Sequence, residues 1–426
     1  MVKRAWVTLA CLGAAWAIGF SLQRYGVGAL AVDHAAVRDW LLGNDLYAYR
    51  SPATRLGTDA TPVAAILLVP LVFLPLTIAG CLLGATGVAA LILAVVALVG
   101  PVARRYGRRR TIAVAAAVTL ALVAEPVRSA LGLGTLDLIL FGLVTADIVA
   151  LRRASWARSR AAWWPGPPAS QPQRADVVRR GWATGAWAGA GTGIATALSP
   201  ASLVFVLYLA VTRQWRAFTT AVSTAFALYT VAFVIAPDAS ATWFGTVVPQ
   251  ADRAGPVDAT GNQSLAGVLS RLYDPAGTPV LVWLAFAVLL VAVGMIRARA
   301  AHTEGDEITG FTLAGLAGAA VGPVSVVHEM VWLLPAVLIL VDAAARKRVT
   351  GRRPRPRRLA GAEYACAAVL VTLLVTAGPV WTIGWNGYAL ALILLVNTLP
   401  WRPAVPTGRP ARPVRRVPAI PGPRGS

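Results

Sequence analysis

The sequence predicts an all-α protein that crosses a membrane many times, and three observations carry that reading. Of its 426 residues, 57% are hydrophobic and only 13% charged, against about 25% charged in an average chain. Mean hydropathy is +0.65. Apolar stretches recur along the chain, with basic residues clustered between alternate pairs of them. Together these exclude a soluble enzyme, a disordered scaffold and a secreted disulfide domain. Cys11, Cys81 and Cys366 each lie inside an apolar run, so neither a disulfide framework nor a cysteine metal cluster is available.

A bilayer core of about 30 Å takes about 20 apolar residues per crossing. Apolar stretches run over 5–22, 62–76, 77–102, 111–126, 136–151, 182–198, 200–212, 217–236, 279–296, 309–327, 330–345, 360–378 and 385–400. The first has no small-residue cleavage site and reads as a spanning helix rather than a signal peptide. Stretch 62–76 is short and carries Pro62, Pro70 and Pro75, which predicts a half-inserted or broken helix. One such piece plus about twelve crossings puts both termini in the cytoplasm.

Orientation comes from the arginines, because basic residues stay on the cytoplasmic side. With Lys3 and Arg4 inside, 32 of the 39 basic residues fall on that side, eight of them in Arg346–Arg358. Only Arg24, Arg38, Arg50, Arg55, Arg128, Arg253 and Arg271 fall outside, where 11 of the 18 acids also lie. The net charge of +21 is therefore a topology signal and not a nucleic-acid footprint. Residues 1–400 form one multi-spanning unit. The Pro/Arg-rich tail 401–426 reads as a disordered cytoplasmic segment held against anionic lipids. Two long segments face outward, 23–61 and 237–278, in a protein of the cell membrane.

In the first outer loop Val37, Trp40 and Leu41 stand at i, i+3 and i+4, the stripe of a short surface helix. Asp33 stands just before it. It reads either as the helix N-cap or as a carboxylate general base at the membrane face. In the second loop Leu265, Val268, Leu269 and Leu272 predict another surface helix, capped by Asn262. Arg271 on its polar flank reads as a phosphate ligand or as a side chain snorkelling to head groups. His328-Glu329 interrupts a long apolar run. Ionisable groups there mark function, unless the pair is a hydrated turn between two helices.

Six segments in order then carry a resemblance: VDHAAVRDWLLGNDLY, TDATPVAAILLVPLVFLP, EPVRSALGLGTLDLILFGLVTADI, IATALSPASLVFVLYLAVTRQWRA, GNQSLAGVLSRLY and GPVSVVHEMVWLLPA. Over residues 1–400 the chain resembles the actinobacterial polyprenol-phosphate-mannose-dependent α-mannosyltransferases. The resemblance implies a glycosyltransferase C-type fold with about 12 transmembrane helices and outer loops carrying short surface helices. It implies inverting transfer of mannose, or a related hexose, from a polyprenyl-phosphate donor to a lipid-linked glycan acceptor at the outer face, with no cofactor and no metal. Asp33 maps to the base, His328 to the donor phosphate, and Asn262, Gln263 and Ser264 match the second-loop motif unchanged. The leaving phosphate gathers charge and must meet donors, for which Arg50, Arg55, Arg128, Arg271 and His328 are the outer candidates.

The chain also departs from that pattern. Val37 stands where the family has Tyr, and Thr58–Pro62 replaces Phe-Thr-Tyr-Pro-Pro. Gly134-Thr135-Leu136-Asp137 replaces Gly-Gln-x-Asn, Ala197 replaces Lys, and Glu329 replaces a second His. Two expectations follow, a different acceptor or a catalytically degenerate paralogue acting as an accessory membrane protein. A transporter fits less well, because Asp147, Asp342 and Glu363 lie near cytoplasmic helix ends rather than mid-span. If the enzyme reading holds, Asp33, the 262–271 helix and His328 converge on one outer cavity.

Overall fold

The computed structural model describes residues 2–52, 54–103, 110–163, 181–250, 255–273, 280–350 and 361–403. The C-terminal tail beyond 403, Arg253, and much of the basic runs at 104–110, 151–180 and 346–358 lie outside the described residues. Every regular element among the described residues is helical.

Helix α1 (Val2–Tyr25) leads into α2 (Gly28–Leu41) through Gly26 and Val27, with φ of 66° and 54°. Two left-handed residues in a row reverse the chain, so α2 sets off at an angle to α1 instead of continuing it. The Pro-rich stretch breaks as its prolines predict, into α3 (Pro62–Val72) and α4 (Leu76–Ala103). Helices α5 (Arg110–Val123) and α6 (Glu125–Leu133) meet at a 57° bend. Ala124 is extended there, and Pro126 sits in the first turn of α6, where its missing N–H costs nothing.

Next come α7 (Asp137–Trp163), α8 (Ala190–Leu198), α9 (Leu203–Val211) and α10 (Trp215–Ile235). The stretch 182–198, expected as one crossing, is instead divided by turns over 185–189 before α8 begins. Gly189 has φ 101°, and a Cβ there would overlap the Ala217 carbonyl, so only glycine lets α8 approach α10 so closely. Short α11 (Pro237–Thr242) runs into a π turn at Trp243–Val247, and α12 (Leu265–Leu272) follows within the segment 237–278. The chain continues as α13 (Val280–Thr303), α14 (Glu307–Val321), a 3₁₀ turn (Val327–Trp332), α15 (Leu333–Thr350), α16 (Ala362–Thr376), α17 (Pro379–Gly384) and α18 (Gly387–Thr398).

Four helical segments among the described residues are long and apolar enough to cross a membrane: α4, α10, α13 and Val327–Arg348. The bent pair α5–α6 makes a fifth if it is one span. Helices α3, α14, α16, α18 and the segment Pro200–Val211 are shorter apolar pieces. Phe226, Val234, Leu281 and Val288 project outward from α10 and α13, a surface that lipid covers and water would not. The larger core joins α7, α9, α14 and α15 around Tyr208, Phe311 and Trp332. A smaller one packs Leu30, Val37, Leu46, Tyr47, Leu68 and Trp243 beside the loop between α2 and α3, and it holds α2 in place.

Candidate active site

Asp33 is the sixth residue of α2 and does not cap it. The helix starts at Gly28 with Val27 at the N-cap position, more than a turn before the expected start, because the left-handed pair at 26–27 turns the chain early. The N-cap reading of Asp33 is therefore overturned. Its carboxylate is half-buried, and the Thr58 hydroxyl donates to Oδ1 at 2.7 Å. Burial is the main reason its pKa rises from the ordinary 3.8 to about 7. The Asp59 carboxylate pushes the same way, and the Thr58 bond opposes both.

Thr58 belongs to a loop tied down at both ends. Its Oγ1 accepts the Ala60 N–H at 3.1 Å. Three residues on, Thr61 caps α3 by accepting the Ala64 N–H and donates its own proton to the Ala197 carbonyl at 2.7 Å. The loop thus joins Asp33 to the end of α8, two residues before Ser199.

Asn262, Gln263, Ser264 and Arg271 form one knot. Asn262 does not cap α12; Ser264 does, its hydroxyl accepting the Gly267 N–H at 3.1 Å. The Asn262 side chain is used elsewhere. Its Oδ1 accepts the N–H groups of Ser264 and Ser325, and its Nδ2 donates to the carbonyls of Val257 and Pro323. Gln263 donates to the Ser325 carbonyl through its backbone and to the Thr260 and Ile383 carbonyls through its side chain. Arg271 donates to the Ala259 and Asn262 carbonyls and to Asn386 Oδ1 at 2.7, 2.9 and 2.6 Å. Burial lowers its pKa, and Asp258 offsets this. The knot fixes the 323–325 turn, and His328 follows that turn by three residues.

His328 sits on the 3₁₀ turn with its Nε2 3.8 Å from Asp137 Oδ2. The Thr135 hydroxyl donates to the same oxygen at 2.6 Å. Asp137 and Glu329 line a cavity of about 770 Å³ together with Ser199, Ser202 and Ser325. The rest of its wall is apolar, including Val144, Phe205, Leu207, Phe218, Val291 and Trp332, so the cavity runs from a polar end into the space between α7, α9, α10, α13 and α14. Asp33, the 262–271 segment and His328 were expected to share one cavity, but none of them is among the residues that line this one; Asp59, which acts electrostatically on both Asp33 and Glu329, connects the first loop with its polar end.

The arginines are dispersed. Arg128 pairs with the buried Glu125, which also accepts the Tyr25 hydroxyl. Arg50 reaches the Tyr47 and Tyr49 carbonyls at 3.4 and 3.3 Å. Arg55 is exposed on a left-handed residue with φ 58°. Among the described residues no group of three His, Cys, Asp or Glu side chains is placed to hold a metal ion.

The profile of glycosyltransferase family 87 matches residues 61–323. The chain belongs to glycosyltransferase family 87. Among its relatives is a polyprenol-phosphate-mannose-dependent alpha-(1-2)-phosphatidylinositol mannoside mannosyltransferase of Mycolicibacterium smegmatis. It is 27% identical over 333 residues, which cover 73% of this chain and 69% of the relative. A pentamannoside mannosyltransferase of the same description from Mycobacterium tuberculosis is 27% identical over 413 residues, 94% of this chain and 84% of the relative. The solved apo structure of ArnT from Cupriavidus metallidurans aligns with a TM-score of 0.36 at 17% identity, over 94% of this chain and 78% of that one. No residue is matched on that likeness.

In this family-87 chain, sequence reasoning missed Thr58, Thr61 and Asp137 as site residues. Asp137 carried a signal, a carboxylate opening a helix. The two threonines carried none, since their partners lie 25 and 136 residues away.

Proposed function

We propose that the chain transfers a mannosyl or related hexosyl group from a polyprenyl phosphate to a lipid-linked glycan acceptor at the outer face of the cell membrane, with inversion. The observation that supports this most is the cavity of about 770 Å³. Its polar end of carboxylates and serines suits a hydroxyl-rich sugar, and its apolar wall between helices suits an isoprenoid chain entering from the bilayer. The donor class is that of the family relatives, which are polyprenol-phosphate-mannose-dependent mannosyltransferases.

Asp33 is the general base of this proposal. It takes the proton of the acceptor hydroxyl, whose oxygen attacks the anomeric carbon from the face opposite the phosphate. The C–O bond to the phosphate breaks with its electrons, and polyprenyl phosphate leaves. A carboxyl with a pKa of about 7 is matched to accepting a proton near neutral pH. His328 meets the leaving phosphate, and Arg271 with the Asn262–Ser264 segment holds the turn that carries it. Both termini face the cytoplasm.

A second reading, a non-catalytic accessory membrane protein, is favoured by one observation: Arg128 and Arg271 both spend hydrogen bonds on protein acceptors. Purified full-length protein in lipid nanodiscs, given polyprenyl-phosphate mannose and a panel of mannolipid acceptors, separates the two. Mannosyl transfer that disappears in Asp33→Asn supports the enzyme. Absence of transfer to every acceptor and of donor hydrolysis supports the accessory protein.

A further inference from the structure

The Thr58 hydroxyl both accepts and donates. Its Oγ1 accepts the Ala60 N–H at 3.1 Å, a local turn bond made within its own loop. With that lone pair committed, its proton points to Asp33 Oδ1 at 2.7 Å. The side chain is 1% exposed, so water does not compete for the donor. Its neighbour Thr61 repeats the arrangement, accepting from Ala64 N and donating to the Ala197 carbonyl, which anchors the loop to a helix 136 residues away. A hydroxyl oriented by its own backbone and carried on an anchored loop is a fixed donor.

We infer that Thr58 is the positioning residue of Asp33: it holds Oδ1 in a hydrogen bond and so leaves Oδ2 as the oxygen that takes the acceptor's proton. This rests on the proposed role of Asp33 as base. A fixed donor does two things to a base. It locks the carboxylate plane, and it stabilises the ionised form, which keeps the base deprotonated at lower pH than burial alone would allow.

The charged groups facing Asp33 are few, so the effect of Thr58 is separable. The helices α3, α4 and α6 pack on α2. Within them α3 has no titratable side chain and α4 has only Cys81. The two charges of α6, Glu125 and Arg128, pair with each other. On α2 itself, His34 meets the Leu74 carbonyl, Asp39 accepts from Asn44, and Arg38 is exposed. The loop supplies Asp59, whose charge opposes ionisation of Asp33.

The test uses Thr58→Val, which keeps the shape and removes the hydroxyl, and Thr58→Ser, which restores it. Both are assayed as full-length protein for mannosyl transfer across pH, with thermal unfolding recorded alongside. Thr58→Val is expected to lower kcat about tenfold or more and to move the acid limb of the pH profile up by about one pH unit, the effect of losing a hydrogen bond to a charged group. KM for the polyprenyl-phosphate donor stays close to the parent's, and Thr58→Ser recovers both rate and limb. If Thr58→Val does not fold, Thr58→Cys, a weak donor of similar size, takes its place with the same expected limb shift.

An unshifted limb in the folded Val or Cys variant overturns the proposal, as does a Ser variant impaired as much as Val. Asp33→Asn run in parallel keeps the two levels apart. Loss of transfer there with an unaltered Thr58→Val removes Thr58 alone, whereas retained transfer in Asp33→Asn removes the base reading beneath it.

Discussion

Under the proposed function, replacing Asp33 by Asn separates catalysis from stability. The amide keeps the size of the carboxyl, and its oxygen still accepts the Thr58 proton now held at 2.7 Å. What it loses is the ability to take a proton. A carboxyl lifted from 3.8 to about 7 resists ionisation, at about 1.4 kcal/mol per unit, by on the order of 4 kcal/mol. A neutral amide is free of that cost.

The folded state therefore holds this proton more tightly than the unfolded chain does. The stability Asp33 contributes is fully present below about pH 4 and is lost as pH rises through about 7. Asp33→Asn should accordingly melt no lower than the parent at pH 8. Mannosyl transfer, in contrast, should fall by about 10²–10⁴-fold, the usual worth of general-base assistance. If Asp33 is the base as proposed, only its ionised carboxylate acts in the parent, so kcat/KM should rise through about pH 7 and level off above it. The assay is transfer from polyprenyl-phosphate mannose to an active mannolipid acceptor, followed across pH. Transfer by the Asn variant within about twofold of an active parent, or a parent whose acid limb lies near the ordinary carboxylate range, would refute the assignment.

Asn262→Ala strands the N–H groups of Ser264 and Ser325 and the carbonyls of Val257 and Pro323; a loss of about 2–4 kcal/mol in thermal unfolding is expected, and an unchanged melting point would contradict the knot. Arg271→Lys keeps the charge but cannot span three acceptors, so it should destabilise; a stable Lys variant with a raised donor KM would instead make Arg271 a phosphate ligand. Ala319→Phe, on the apolar wall of the cavity, should raise the donor KM with little change in kcat; an unaffected KM would put the isoprenoid elsewhere. Cysteines placed at Asn44 and Asp258 in a protein cleared of native cysteines should label from outside intact cells while one at Thr303 should not; the opposite pattern would invert the topology.

How much of this was legible in the sequence depends on distance along the chain. Prolines at 62, 70 and 75 announced the break between α3 and α4, because their effect is local to the backbone. The start of α2 was hidden. It depends on Val27 in the left-handed region, a conformation a β-branched residue rarely adopts and no neighbouring residue demands. Asn262 and Ser264 are equally good caps by residue type, so spacing could not choose between them. The choice is made by Pro323 and Ser325, about 60 residues later, which take the Asn262 side chain for themselves. Arg271 misled for the same reason: an arginine on a polar helix flank looks free until Asn386 arrives from 115 residues away.

The charges around the site then constrain how a phosphate could enter it. Asp137 and Glu329 line the polar end of the cavity, Asp59 acts on Asp33 and Glu329 from beside it, and negative charge there repels a phosphate. Arg128 is matched to Glu125 and Arg271 holds carbonyls, and Arg50 and Arg55 are not among the residues that line the cavity. His328 is placed differently. Its Nε2 faces Asp137 at 3.8 Å, while its Nδ1 has no hydrogen-bond partner among the described residues. Under the proposed function the neutral, hydroxyl-rich sugar belongs beside the carboxylates, which can accept from its hydroxyls, and the phosphate belongs on the Nδ1 side of His328. That ordering makes a specific demand. His328→Gln, which retains one N–H donor, should keep part of the activity, whereas His328→Glu should abolish donor binding by placing a further carboxylate beside Asp137. Donor binding preserved in the Glu variant would mean that the phosphate lies elsewhere and that the carboxylate-lined end is not the place where the glycosyl bond breaks.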